Sequence, residues 1–127
     1  MRALPIALLA SCLVANRAGA VDIHKTAVSG ERTVIHTYAS WKVNCEANHG
    51  VVKVQRKPSA GRLSTEQVNT TIGTNRVGNN SCTGKPIKGF RVYYMPKAGF
   101  RGTDSFEIDV SYGDREPIRD VFHVTVQ

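Results

Sequence analysis

Strict two-residue alternation in the last third of the chain constrains the fold more than any other feature. In the segment FEIDVSY, apolar residues alternate with Glu107, Asp109 and Ser111, and the segment DVFHVTV repeats the pattern. A period of two is that of a β-strand with one buried face. We therefore predict two strands whose apolar faces cover a common core. The residues expected to face inward are Phe106, Ile108, Val110, Tyr112, Phe122, Val124 and Val126.

Four earlier segments give the same signal. TVIHTYASWKVNC predicts one long strand, GVVKVQRKP a strand that stops at Pro58, and PSAGRLST a turn followed by a short strand. GFRVYYMP predicts a strand with Phe90, Val92 and Tyr94 on one face. In the first of these strands the inward set is Ile35, Thr37, Ala39, Trp41, Val43 and Cys45, with His36 outward.

The segments between these strands are typical of loops. Asn, Thr, Ser and Gly dominate the chain from Asn69 to Gly89, so we expect one long irregular connection there. No segment keeps a helical period for three turns. Six or seven short strands in about a hundred residues predict a single all-β domain, an antiparallel immunoglobulin-like β-sandwich of about seven strands.

The first twenty residues have the features of a secretory signal peptide. A positive start at Arg2 precedes a mainly apolar run, and Ala18-Gly19-Ala20 has the small residues that signal peptidase requires. We therefore expect cleavage after Ala20, a mature domain over 21–127, and a secreted or periplasmic location with no membrane span, since the apolar run is too short. The alternative is a lipid anchor at Cys12, because LASC resembles a lipoprotein cleavage site.

Cys45 and Cys82 are the two cysteines of the expected mature chain. An even count in an exported domain favours a disulfide over a free catalytic thiol. A metal site is disfavoured, because Cys45 and His49 have no Cys or His partners at a recognised spacing. We predict a Cys45–Cys82 disulfide and no metal or cofactor.

The segment YYMPKAGFRGTDSFEIDV contains a Tyr-x-Pro followed by Gly-Phe-x-Gly-Thr-Asp-x-Phe. With the alternating last strand, it resembles the C-terminal half of the bacterial immunoglobulin-like and cadherin-like repeats of secreted proteins, here in a single copy. The resemblance implies a β-sandwich. The clustered acidic residues of cadherin calcium sites are missing from the sequence. The matching residues are Tyr94, Pro96, Gly99, Phe100, Gly102, Thr103, Asp104 and Phe106.

Physical chemistry indicates a structural role for this motif. Phe100 can close one end of the sandwich, and Gly99 and Gly102 allow backbone bends that a Cβ hinders. Thr103 and Asp104 can bond nearby backbone amides. We interpret the stretch as a corner motif that serves packing.

Charge is the other functional signal. Residues 21–127 carry fifteen Lys and Arg against ten Asp and Glu, and from Lys42 to Arg101 there are eleven basic residues against two acidic ones. If the strands of this region lie side by side, their cations form one surface that attracts an acidic ligand. The alternative is an ordinary solvated surface. The candidate patch consists of Lys53, Arg56, Lys57, Lys85, Lys88, Arg91 and Lys97.

No catalytic motif is present. The four histidines are scattered, and no His-x-x-x-His or Gly-x-Ser-x-Gly occurs. An RNA-binding signature and an aromatic stacking platform are also missing, so we expect no specific nucleic acid. The sequence favours a non-catalytic binding module whose partner is an unknown protein or an acidic polymer of the cell envelope. The alternative is a small inhibitor or accessory subunit of an envelope enzyme.

Overall fold

The computed structural model of the chain describes residues 19–74, 80–113 and 115–127, and every regular element in these ranges is a β-strand. No helix among these residues is long and apolar enough to cross a membrane. The strands are β1 (Ala20–Ala27), β2 (Thr33–Tyr38), β3 (Val51–Arg56), β4 (Gly61–Thr71), β5 (Pro86–Pro96), β6 (Gly102–Ser111) and β7 (Ile118–Val126).

The strands form two sheets with the orders β1-β7-β6-β3 and β2-β5-β4. All neighbouring strands are antiparallel except β1 and β7, which are parallel. The chain passes from one sheet to the other at β1–β2, β2–β3, β3–β4 and β5–β6. The predicted all-β, immunoglobulin-like sandwich of about seven strands is confirmed.

The core lies between the sheets. The four-stranded sheet contributes Phe106, Ile108 and Phe122, each with no exposed surface, and the other sheet contributes Val92 and Tyr94. The inward faces predicted for β5, β6 and β7 are therefore confirmed, with Tyr112 half-buried against the same core. The alternating pattern predicts the buried faces of β6 and β7 correctly because these strands pair without a register shift.

In the segment TVIHTYASWKVNC the predicted inward parity is wrong after Ile35, and the strand ends at Tyr38. The pairing of β2 with β5 shifts register between Val34 and His36, so Tyr38 instead of Thr37 becomes the buried residue. His36, predicted to face outward, lies with its ring 4.5 Å from that of Tyr38 and 6.0 Å from that of Phe122, between centroids. The bulge reverses the remaining positions of β2, and periodicity alone does not locate it.

After Tyr38 the chain forms a loop instead of continuing as a strand. Trp41 pairs with Ala47 in an isolated bridge, and Val43, predicted to face inward, is 94% exposed. Cys45 has a left-handed backbone with φ of 69° and lies in a second small core with Cys82, Ile72 and Ile87.

Two strands extend beyond their predicted limits. β4 reaches Thr71 and β5 begins at Pro86, so the connection between them runs over 72–85, of which 75–79 lies outside the described residues. β1 was not predicted, and it begins at Ala20, which is paired with Arg119. Residues 1–18 of the predicted signal peptide, with Cys12, lie outside the described residues.

The strand connections gather at two opposite ends of the sandwich. We call the end with the short connections 28–32, 57–60 and 97–101 the corner end, because it contains the corner motif. We call the end with the connections 39–50, 72–85 and 112–117 the disulfide end.

Candidate functional site

A buried carboxylate organises the corner end. Asp104, 7% exposed at the start of β6, accepts a hydrogen bond of 2.7 Å from the Tyr94 hydroxyl on the opposite sheet. It also accepts backbone N–H bonds from Ser59 at 2.9 Å, Ala60 at 3.0 Å and Ser105 at 2.8 Å. One side chain thus joins β5, β6 and the turn between β3 and β4. From the sequence we predicted that Asp104 bonds to nearby backbone amides. In the structure it also accepts hydrogen bonds from a turn more than forty residues away in the chain.

The electrostatics of Asp104 follow from these contacts. Burial by itself raises the pKa of a carboxyl, but the hydrogen bonds from Tyr94, Ser59, Ala60 and Ser105 outweigh it, so the pKa of Asp104 is lowered. Burial, together with the bond to Asp104, raises the pKa of the Tyr94 hydroxyl. The pair is therefore an ionised acceptor and a neutral donor at neutral pH.

The turn from β5 to β6 contains the rest of the corner motif. The N–H of Phe100 donates to the carbonyl of Lys97 at 3.1 Å, and the ring of Phe100 packs, half-buried, against the main core. Gly99 and Gly102 have φ of 84° and 133°, in the region that side chains with a Cβ rarely adopt. Thr103 is exposed, whereas Pro96 and Phe106 are buried. The turn is therefore fixed by packing on its inner side and leaves Arg101 outside.

Three exposed cations lie in adjoining turns of this end. The N–H of Lys97 donates to the carbonyl of Ala60 at 2.8 Å, which fastens the β5–β6 turn to the turn that contains Lys57. Arg101 follows Phe100 in the same β5–β6 turn. Within the ranges that the structure describes, none of these three cations has a carboxylate partner. We call Lys57, Lys97 and Arg101 the corner cations.

The other members of the predicted basic patch do not join them, because β3 and β5 belong to different sheets. Lys53 faces Asp109 across β3 and β6, while Arg56 donates to Ser105 and lies 3.9 Å from Glu107. These contacts neutralise the β3 cations locally.

The remaining cations of the predicted patch are separate from both groups. They are Arg91, Lys85 and Lys88. Arg91 is paired with Glu66 in the register of β4 and β5. Lys85 and Lys88 lie at the disulfide end. The condition for a single seven-residue patch, strands side by side, is not met, and the corner cations include Arg101, which the predicted patch omitted.

A groove of about 500 Å³ begins beside the corner motif and crosses the outer face of the four-stranded sheet. Its walls include Phe100 and Thr103 at one side, and His24 and His123 at the other. These two histidines lie opposite each other on β1 and β7 with ring centroids 4.8 Å apart, and His123 Nε2 is 2.8 Å from Asp22 Oδ1. Sequence reasoning missed this pair, since about a hundred residues separate the partners.

The disulfide end contains the predicted cross-link. Cys45 and Cys82 are bonded, which confirms the pairing and fastens the 39–50 connection to the 72–85 connection. A shallow groove beside it is lined by Lys42, Glu46, His49 and Lys88. This groove brings the carboxylate of Glu46 beside Lys42 and Lys88.

Among the described residues, no group of three His, Cys, Asp or Glu side chains is placed to hold a metal ion. Comparison with known protein families and with curated proteins finds no match to the chain. The geometry therefore has to support any functional conclusion without a relative.

Proposed function

We propose that this chain is a non-catalytic binding module that holds an acidic ligand at its corner end. The observation that carries the proposal is the position of the corner cations on two turns that Asp104 and the Lys97–Ala60 bond hold together. Preorganised turns keep charges in place without an ordering cost on binding, which favours affinity. The proposal includes secretion or export to the periplasm, supported by the signal-like sequence of residues 1–20 and by the disulfide.

The cations elsewhere on the sandwich are less suitable for binding an acidic ligand. Arg56 and Arg119 lie beside Glu107 and Asp109, and Arg32 lies 3.6 Å from Glu66. A cation that already faces a carboxylate must give up that partner to bind an external anion. The corner cations have no ion-pair partner among the described residues, so an anion can bind them without displacing a carboxylate.

The first prediction tests this with heparin as the polyanion. Charge reversal in Lys57→Glu plus Lys97→Glu plus Arg101→Glu should abolish most retention of the protein on a heparin column and flatten its dependence on salt. The matched control is Lys42→Glu plus Lys85→Glu plus Lys88→Glu at the disulfide end, which changes the net charge equally. The control should elute close to the wild type.

Two results would contradict the proposal. Equal loss of retention in both triple variants would show that heparin responds to net charge alone. Unchanged retention of the corner variant would show that the corner cations do not bind the polyanion. Far-UV circular dichroism and thermal unfolding of each variant check that the turns remain folded.

A further inference from the structure

Among the residues that the structure describes, four strands have a free edge, namely β1 and β3 in one sheet and β2 and β4 in the other. Unpaired N–H and C=O groups along such edges can pair with another chain, and proteins usually block this with bulges, short strands, Pro or inward charges. β2 and β3 are each six residues long and each has a register shift. Both of these edges are therefore irregular.

The edge of β1 is blocked in another way. Lys25 lies on the same side of β1 as Ile23 and Ala27, which pack against the core, and it is itself half-buried. An inward lysine on an edge strand disfavours the addition of a further strand, because a close neighbour would bury the charge.

β4 has none of these protections. It is eleven residues long, contains no Pro, and pairs with β5 from Gly61 to Thr71 without a register shift. Its side chains are mostly exposed on both faces, and only Arg62 and Glu66 are charged. The remaining polar side chains at this edge, such as Ser64, Thr65 and Gln67, repel no neighbouring strand.

The charges on β4 are arranged symmetrically. Arg62 precedes Ser64 by two residues and Glu66 follows it by two, so both lie on the same face of the strand. In an antiparallel pair of identical strands centred on Ser64, each Arg62 lies opposite a Glu66. Opposite charges directly across a strand pair stabilise it, whereas like charges destabilise it.

We propose that β4 is the interface of a homodimer, in which it pairs with β4 of a second copy in antiparallel register centred on Ser64. Arg62 then lies opposite Glu66 of the partner subunit, and Glu66 opposite the partner's Arg62. The two three-stranded sheets join into one continuous sheet, and the interface is isologous, as two-fold symmetry requires. A second copy fits better than an unrelated strand, because the sequence of β4 is complementary to itself.

Neighbours of these two residues support the arrangement. Arg62 is exposed and has no carboxylate partner among the described residues. Glu66 is held by the Tyr93 hydroxyl at 2.9 Å and lies 3.6 Å from Arg32, which packs over the Tyr93 ring. It also lies opposite Arg91 of the same subunit in the register of β4 and β5. Glu66 is thus fixed on the face where the second Arg62 arrives.

The second prediction concerns the association state of the protein. It is measured on the chain in the form that the cell produces, by sedimentation equilibrium over a concentration series. The wild type should show a monomer–dimer equilibrium. Arg62→Glu and Glu66→Arg should each raise the dimer dissociation constant by roughly tenfold or more, because each places two like-charged pairs in the dimer. The combined Arg62→Glu plus Glu66→Arg variant should recover dimerisation, since the exchange restores opposite charges.

Lys53→Glu on the bulged β3 edge is the matched control and should leave the constant unchanged. Thermal unfolding at low concentration tests whether a variant still folds, and Arg62→Glu is the cleaner single change because Glu66 has contacts within the subunit. A wild type that stays monomeric at all concentrations overturns the proposal, including the case in which β4 binds a strand of another protein. A dimer that is insensitive to both single changes, or that the exchange variant fails to recover, also overturns it.

Discussion

The corner end and the disulfide end close the same sandwich by different means. Each end contains a buried tyrosine–aspartate pair that links the two sheets. At the corner end the Tyr94 hydroxyl donates to Asp104. At the disulfide end the Tyr38 hydroxyl donates to Asp120 Oδ2 at 2.5 Å. Burial, reinforced by the bond to aspartate, raises the pKa of both tyrosines. The two pairs differ in what else the carboxylate holds.

Asp104 also binds the backbone of the 57–60 turn, whereas the connections of the disulfide end are held by a covalent bond. A turn of a few residues keeps its amides within reach of one carboxylate, so hydrogen bonds are enough to order it. A longer connection has more conformational freedom to lose, and a cross-link removes part of that freedom from the unfolded chain. Loop length therefore explains which end needs the disulfide.

The largest expected effect is at the disulfide end. Replacing both cysteines in Cys45→Ala plus Cys82→Ala opens a loop with a sequence separation of 37. The chain-entropy description gives a loss of about 4 kcal/mol in the free energy of unfolding. Urea unfolding measures the loss, and heparin retention should persist under native conditions because the corner cations do not depend on this bond. A loss of retention without global unfolding would show that the two ends are coupled.

A smaller loss is expected at the corner end. In Asp104→Asn the amide group presents a donor to a site whose neighbours are themselves donors, so the free energy of unfolding should fall by about 2 to 3 kcal/mol. The matched change Asp120→Asn should cost about 1 to 2 kcal/mol, because the Tyr38 hydroxyl can rotate and accept from the amide.

The comparison of these two variants also has a functional readout. Only Asp104→Asn should lower heparin retention, since only Asp104 fastens the turn that contains Lys57. Urea unfolding measures the stability of both variants, and heparin retention over a salt series measures their binding. Equal stability losses with equal retention would mean that the two aspartates have the same role, and the distinction between the ends would fail.

The sequence was sufficient where pairing is regular. Phe106, Ile108, Phe122 and Val124 face the core as alternation predicts, because β6 and β7 stay in register along their length. The disulfide was predicted from the cysteine count and the expected compartment. The prediction failed in β2, where a bulge changes the parity and where no residue type marks it.

The candidate site was predictable only in its parts. Asp104, Lys57 and Lys97 were each singled out from the sequence, but their association depends on the Ser59 and Ala60 amides meeting Asp104 across the sandwich. Likewise, the assumption that the basic strands adjoin required knowledge of which sheet each strand joins. Both are long-range properties, set by packing instead of local pattern.

The smallest expected effect is a difference in pH dependence between His36, half-buried beside Tyr38 of the disulfide end, and Asp104 of the corner end. Burial against Tyr38 and Phe122 lowers the pKa of His36, with Lys25 acting in the same direction and Asp120 opposing it. A histidine kept neutral in the folded state stabilises fully above its unfolded pKa of about 6.5. As pH falls below that value, the unfolded chain takes up the proton first and the contribution is lost. Asp104, whose folded pKa is also lowered, loses its contribution only at the more acidic pH where carboxyls titrate.

The free energy of unfolding should therefore be measured for the wild type, His36→Gln and Asp104→Asn from pH 7.5 to 3. The advantage of the wild type over His36→Gln should shrink from about pH 6.5 downward, whereas its advantage over Asp104→Asn should hold until about pH 4 and then shrink. His49→Gln, an exposed histidine at the disulfide end, controls for the loss of an imidazole as such. If both advantages decline over one common pH range, His36 and Asp104 do not respond separately to acid.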